Sequence, residues 1–191
     1  QQAAKQALGF SGDRPLIVVT GGGLGAKRLN MAVATSLNDL LPRTDVILIS
    51  GQSQYDEMNA LTPQDDARYQ LHAFVSSGMA AMLGAADPVV ARAGATTILE
   101  LAALAKPTIL VPNGYLTGGH QLKNAAVYAE KNAVLVIDEE ELEKRPELLV
   151  DAVLNLLADP ARMQAMGRAF YAFAKPDAAK DMAEMIVNAA K

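Results

Sequence analysis

The sequence predicts one doubly wound α/β domain, a parallel sheet covered by helices on both faces. Three observations carry this. Short runs of consecutive apolar and β-branched residues recur along the chain, as in strands buried on both sides. Segments with apolar residues at helical spacing alternate with them. Gly- and Pro-containing turns separate the two kinds of segment. With 191 residues, 51% of them apolar, the chain is long enough for one sizeable core and short for two full domains.

Residues 1–14 read as a polar, Gln-rich lead or linker remnant, and 15–191 as the folded unit. The run 15–20 (PLIVVT) predicts a first strand, bounded by Pro before it and glycines after it. Leu29, Val33, Leu37, Leu40 and Leu41 recur at helical spacing, and Pro42 closes that helix. Residues 45–49 (DVILI) predict a second strand, followed by a polar helix over 53–61 and a Pro/Asp-rich turn. A weaker third strand spans 69–75. Helix, strand, helix and strand then follow over 79–86, 89–91, 96–105 and 107–111. A helix over 121–131 and a strand over 133–137 complete the alternation. The remainder predicts helices broken at Asp159-Pro160 and Lys175-Pro176. Asp138-Glu-Glu-Glu141 opens the first of these, where negative charge suits the helix dipole. Phe170, Tyr171 and Phe173 are expected in the core rather than on an interdomain surface.

Composition excludes several function classes. The net charge is −4 and the 17 Lys and Arg are scattered, so no phosphate-backbone footprint appears and nucleic acid is not an expected partner. Without Cys there are no disulfides, thiolate metal sites or thiol nucleophiles. Arg92, Glu100 and Lys106 interrupt the most apolar region, and no run approaches the roughly 18 residues of a membrane-spanning helix. No signal peptide opens the sequence, so the expectation is a soluble or at most peripheral protein.

In a doubly wound sheet, ligands bind beyond the carboxyl ends of the strands, which directs attention to the loops there. Gly21-Gly-Gly-Leu-Gly-Ala26 lies between a predicted strand and a helix. Glycines let the backbone approach a phosphate, and the helix start supplies free N–H groups and partial positive charge. Read as a dinucleotide fingerprint over Gly21, Gly23 and Ala26, it calls for an acidic residue about 20 positions later. The second strand instead ends in Ser50-Gly-Gln52, which argues against a nicotinamide dehydrogenase. No Gly-Lys-Ser/Thr follows, so it is not a P-loop.

Arg92-Ala-Gly-Ala-Thr-Thr-Ile-Leu-Glu100 repeats the strand–glycine–helix arrangement. Thr96 and Thr97 share a helix face with Glu100, a set of hydroxyls and a carboxylate suited to a ribose. A third loop, 112–124 (PNGYLTGGHQLKN), carries His120, Gln121 and Asn124 into the first turns of another helix.

In order and spacing these motifs resemble the C-terminal domain of the MurG family of bacterial glycosyltransferases. That family's pattern is a strand followed by G-G-S-x-G-A, then R-x-G-A-x-T-x-x-E, V-P and H-Q-x-x-N-A. Here the pieces are 21–26, 92–100, Val111-Pro112 and 120–125, over nearly the whole chain.

The resemblance implies the C-terminal, Rossmann-like half of a GT-B transferase with UDP-GlcNAc lying across the strand ends. Gly22, Gly23, Leu24 and Gly25 would cradle the diphosphate, and the backbone of Val75 would meet the uracil edge. Arg92 and Gly94 belong to the second loop, where Ala95, Thr96 and Thr97 would present N–H groups and hydroxyls to phosphate. Glu100 would hold the ribose, and Gln121, with His120, the sugar; Asn124 belongs to the same binding set. The family's usual Ser is Gly23 here, which removes a hydroxyl donor.

The acceptor site, the membrane-contacting patch and the candidate general bases belong to an N-terminal half that has no counterpart here. The resemblance therefore implies a chain not active alone, working at the inner face of the cell membrane with a lipid-linked muramoyl-pentapeptide acceptor. No Asp-x-Asp suggests a metal, and no cofactor is expected. Two other readings stay open at this point. One is a UDP-sugar epimerase-like enzyme, which needs cleft carboxylates beyond Glu100. The other is a non-catalytic nucleotide-sugar-binding module.

Overall fold

The computed structural model describes residues 1–23, 25–114 and 117–189. Six strands form one sheet: β1 (Leu16–Thr20), β2 (Asp45–Ile49), β3 (Tyr69–His72), β4 (Val89–Ala91), β5 (Thr108–Leu110) and β6 (Leu135–Val136). All pairings are parallel and the order is β3-β2-β1-β4-β5-β6. The chain winds outward from β1 to β3, crosses back to β4 and winds outward again to β6. That reversal puts the topological switch point between β1 and β4.

Register brings the strand ends into line: Thr20 stands beside Ile49 and Ala91, Ile49 beside His72, and Ala91 beside Leu110. Five loops therefore emerge along one edge.

Alternation along β1 shows how the two faces are covered. Ile17 and Val19 pack with Leu29, Val33 and Leu37 of α2 (Lys27–Leu40) and Met58 of α3 (Tyr55–Leu61). The same layer holds Leu142 of α7 (Glu139–Lys144) and Leu149, Val153 and Leu156 of α8 (Glu147–Leu157). Leu16 and Val18 point the other way. They meet Met82 and Leu83 of α4 (Met79–Ala85), Ile98 and Leu101 of α5 (Ala95–Ala103) and Ala125 of α6 (His120–Ala129). Each fully buried Leu, Ile or Val contributes roughly 1.5–3 kcal/mol, so the doubly covered sheet is the main source of stability.

The residues expected as a lead include a helix, α1 (Gln2–Ala7), which packs against α4. Lys5 of α1 is buried, with Nζ 2.6 Å from Asp87 and donating to the Arg14 carbonyl, and Phe10 joins the core. β3 ends at His72, earlier than the apolar run suggests, and β6 is shorter than its run.

Pro146 adds a break between α7 and α8. Asp159 caps α9 (Pro160–Tyr171) by accepting from Arg162 N, with Pro160 in the first turn. Phe170 is fully buried and meets Tyr128 edge-on at 5.5 Å, and Phe173 meets the same ring at 4.7 Å. Tyr171 is exposed, so only two of the three aromatics face inward. No residue of α10 (Ala178–Ala189) is buried. Among the described residues no helix is long and apolar enough to cross a membrane.

Candidate functional site

The loop from β1 to α2 is a tight turn with an open side. Thr20 Oγ1 accepts from Gly22 N at 3.2 Å, and Gly25 N donates to Gly22 O at 3.0 Å. A Cβ on Gly21 would lie 2.5 Å from Ala26 N, and one on Gly25 would lie 2.3 Å from Ser50 O, so the turn itself requires both glycines. Added carbons at Gly22 and Gly23 would meet nothing within 4 Å. Gly22 also holds a left-handed φ of +76°, so three of the four glycines serve the turn, while Gly22 and Gly23 both border open space that a ligand's phosphate can approach. Leu24, also expected at the diphosphate, lies outside the described residues.

Asn30, one turn into α2 and fully buried, anchors this loop to β2. Its Nδ2 donates to Ser50 O at 2.9 Å and to Gln54 Oε1 at 2.7 Å.

The loop from β4 to α5 emerges beside it. Arg92 is buried: Nη1 donates to Val111 O at 3.0 Å, and Nη2 is paired with Glu139 Oε1. Its guanidinium is thus engaged within the protein, bracing β4 against β5 and α7. Gly94, the N-cap of α5, makes no side-chain cap, and a Cβ there would meet nothing within 4 Å. Ala95, Thr96 and Glu100 are exposed and Thr97 is half-buried, so the hydroxyls and the carboxylate share one accessible face. Glu100 needs no buried counter-ion.

The first turns of α6 lean on these loops. Asn124 Nδ2 donates to Ala93 O at 3.1 Å, and Gln121 Oε1 accepts from Asn113 N at 2.9 Å. His120 is exposed at the first position, behind the left-handed pair Gly118 and Gly119. Tyr115 and Leu116 of this loop lie outside the described residues. Val75, half-buried, packs with Met79 against the core layer that holds Ala91 and Ala93. At the end of β3, burial lowers the His72 pKa below its usual 6.5.

The structure thus gathers the glycine loop, the start of α5 and the start of α6 around the β1/β4 switch point. The N-caps of α2, α5 and α6 supply no capping side chain, whereas Asp138 and Asp159 cap α7 and α9. α1, α3, α4 and α8 also lack a side-chain cap, so it is their place at the strand ends that sets α2, α5 and α6 apart, where first-turn N–H groups and the helix dipoles favour an anion. Among the described residues no three His, Asp or Glu side chains converge as a metal site.

Sequence reasoning passed over Asn30 and Glu139. Asn30 adjoins the apolar stripe at Leu29 and Val33, a faint signal. Glu139 was hidden in an acidic run whose neighbour Asp138 does the capping.

A family model described as the glycosyltransferase family 28 C-terminal domain matches residues 16–182. The chain belongs to that family. A curated relative from Exiguobacterium sibiricum, named UDP-N-acetylglucosamine--N-acetylmuramyl-(pentapeptide) pyrophosphoryl-undecaprenol N-acetylglucosamine transferase, is 37% identical over 189 residues, 96% of this chain and 49% of that protein. A relative of the same name from Chlorobium phaeobacteroides is 36% identical, covering 98% of this chain and 50% of its own length. The crystal structure of Acinetobacter baumannii MurG superposes with a TM-score of 0.79 at 27% identity, covering 92% of this chain and 50% of that one. The family 28 domain described here thus spans about half the length of the curated relatives it matches. Its doubly wound sheet is that of the C-terminal half of a GT-B transferase.

Proposed function

We propose that this chain is the donor-binding half of an inverting glycosyltransferase that moves N-acetylglucosamine from UDP-GlcNAc to a lipid-linked muramoyl-pentapeptide in peptidoglycan synthesis. One observation carries the reading: α2 and α5 start beyond the ends of the adjacent strands β1 and β4, on the two faces of the sheet and without side-chain caps, and Gly22, Gly23 and Gly94 border open space. The names of the half-matching relatives support the choice of donor sugar and acceptor.

In this reading the diphosphate lies over residues 22–25 and 94–97, the uracil edge along the Val75 backbone, and the ribose hydroxyls on Glu100. Gln121 and His120 face the sugar, and Asn124, bonded to Ala93 O, holds α6 against the β4–α5 loop beside it. The acceptor oxygen attacks the anomeric carbon as its bond to the diphosphate breaks, and UDP leaves with the electron pair. The two helix starts stabilise the charge that grows on the departing diphosphate. The acceptor's proton passes to a base in the other half, which also carries the acceptor and meets the inner face of the membrane.

The test is calorimetric titration with UDP-GlcNAc, UDP, UDP-glucose and NAD, alongside Glu100→Ala. Uridine ligands are expected to bind and NAD not, with affinity lost in the variant. A charged hydrogen bond contributes about 1.5–3 kcal/mol, so the loss should be tenfold or more. Binding of NAD, or indifference to Glu100, would overturn the ribose assignment.

A further inference from the structure

Glu139 is the first residue of α7, three positions past the end of β6, and is 3% exposed. Its Oε1 pairs with Arg92, the residue that opens the β4–α5 loop. Its Oε2 lies 3.8 Å from Nη1 of Arg28, in the first turn of α2 and three residues past Gly25. One buried carboxylate therefore reaches the supports of both loops that flank the switch point. We propose that Glu139 is a positioning residue that fixes the spacing of these two loops and so governs binding of the diphosphate without touching it. The inference rests on the donor-binding reading above.

Packing alone does not account for this side chain. Burying a carboxylate is costly, and pairing with Arg92, itself buried and left uncompensated by an apolar residue here, accounts for only one of its two oxygens. Glu139 Oε2 is buried without a hydrogen-bond partner among the described residues, so the Arg28 charge is what balances it. An ion pair of fixed length specifies a distance, which apolar contact does not. Arg28 is also held from its other side, with Nε 2.9 Å from Glu143 Oε2 on α7. The start of α2 is thus tied to α7 twice, and α7 is tied to Arg92 once.

Charge and position predict opposite results. Glu139 cancels positive charge on Arg28 and Arg92, so by charge alone its removal would make this edge more attractive to a diphosphate. If Glu139 sets the loop spacing, its removal weakens diphosphate binding instead. The nucleoside, which rests on Glu100 and Val75, should be indifferent.

The experiment titrates the wild-type chain, Glu139→Gln, Glu139→Asp and Arg28→Gln with UDP and with uridine, with thermal melts alongside. Gln removes the charge at constant size, and Asp keeps the charge but shortens the reach. Each variant is expected to lower UDP affinity about tenfold, or ~1.4 kcal/mol, with uridine affinity unchanged. The Glu139→Gln/Arg28→Gln double variant should lose no more than the worse single one, because both act through one link.

UDP affinity that is unchanged or tighter in a folded Glu139 variant overturns the proposal. So does a parallel loss of UDP and uridine, which reports general loosening. If the Glu139 variants do not fold, Arg28→Gln at its half-exposed position decides, and an unchanged UDP-to-uridine ratio there overturns it. A wild-type chain that binds no UDP would refute the donor-binding reading itself, a result distinct from variants that bind as wild type does.

Discussion

Gly25 and Ser50 are packed so closely that a Cβ on the glycine would stand 2.3 Å from the serine's carbonyl oxygen. The same oxygen accepts from Asn30 Nδ2 at 2.9 Å. The glycine loop after β1 is therefore seated against the end of β2 by backbone contact, and the buried amide of Asn30 fixes the oxygen it rests on.

Gly25→Ala should therefore destabilise the fold, while Gly23→Ala should not. At Gly25 the φ of +76° and the contact with Ser50 act together, and such strain costs of order 1–3 kcal/mol. Gly23 is exposed and borders open space, so its variant should stay within about 0.5 kcal/mol of wild type. Denaturant melts of the two variants check the difference; equal midpoints would mean the loop is not seated as described.

Asn30→Asp should be worse than Asn30→Ala, although Asp is nearly isosteric. The amide nitrogen faces two acceptors, Ser50 O and Gln54 Oε1, at a fully buried position. Alanine forfeits these bonds and leaves a small cavity, about 1–3 kcal/mol. A carboxylate would present oxygen to oxygen and be buried unpaired, which costs about 3–5 kcal/mol or raises its pKa until it is protonated. Urea melts at neutral and at acid pH check the order, and the Asp variant should recover part of its deficit in acid.

The strand pattern and helix order were readable because they depend on local periodicity: continuous apolar runs for doubly covered strands, 3.6-residue spacing for helices. The loops were readable because glycines before helix starts have few other uses. What stayed hidden depends on contacts between segments distant in sequence. Glu139 meets Arg92 across 47 positions, and in the sequence it looks like any acid at a helix start. Asn30 meets Ser50 across 20. Short-range patterning also says nothing of α1, whose Lys5 pairs with Asp87, a residue far along the chain. The proposed residue roles at the ligand rest on the resemblance, and the structure adds which side chains are already engaged.

His72 should make stability fall on acidification. Burial lowers its pKa from 6.5, so below that value the unfolded chain binds the proton more readily than the fold does. The stabilisation it gives is present above the unfolded pKa and is lost as pH drops through the folded one. Denaturation midpoints should decline as pH falls through and below 6.5, and His72→Gln should flatten that part of the profile. An unaltered slope in the variant would assign the acid sensitivity to other groups.

Gly23→Ser should tighten diphosphate binding. The family pattern has Ser where this chain has Gly23, and a Cβ there would meet nothing within 4 Å, so the hydroxyl can be accommodated without moving the loop. Gly23 is not among the residues with positive φ, so a side chain brings no backbone penalty. One added hydroxyl donor contributes about 0.5–1.5 kcal/mol, which is roughly a two- to tenfold gain in UDP affinity. Uridine, lacking phosphate, should bind as before, and the melting temperature should not move. Titrating UDP and uridine into both chains checks this. If the gain extended to uridine, residue 23 would lie near the nucleoside, and the diphosphate would have to be moved away from this loop.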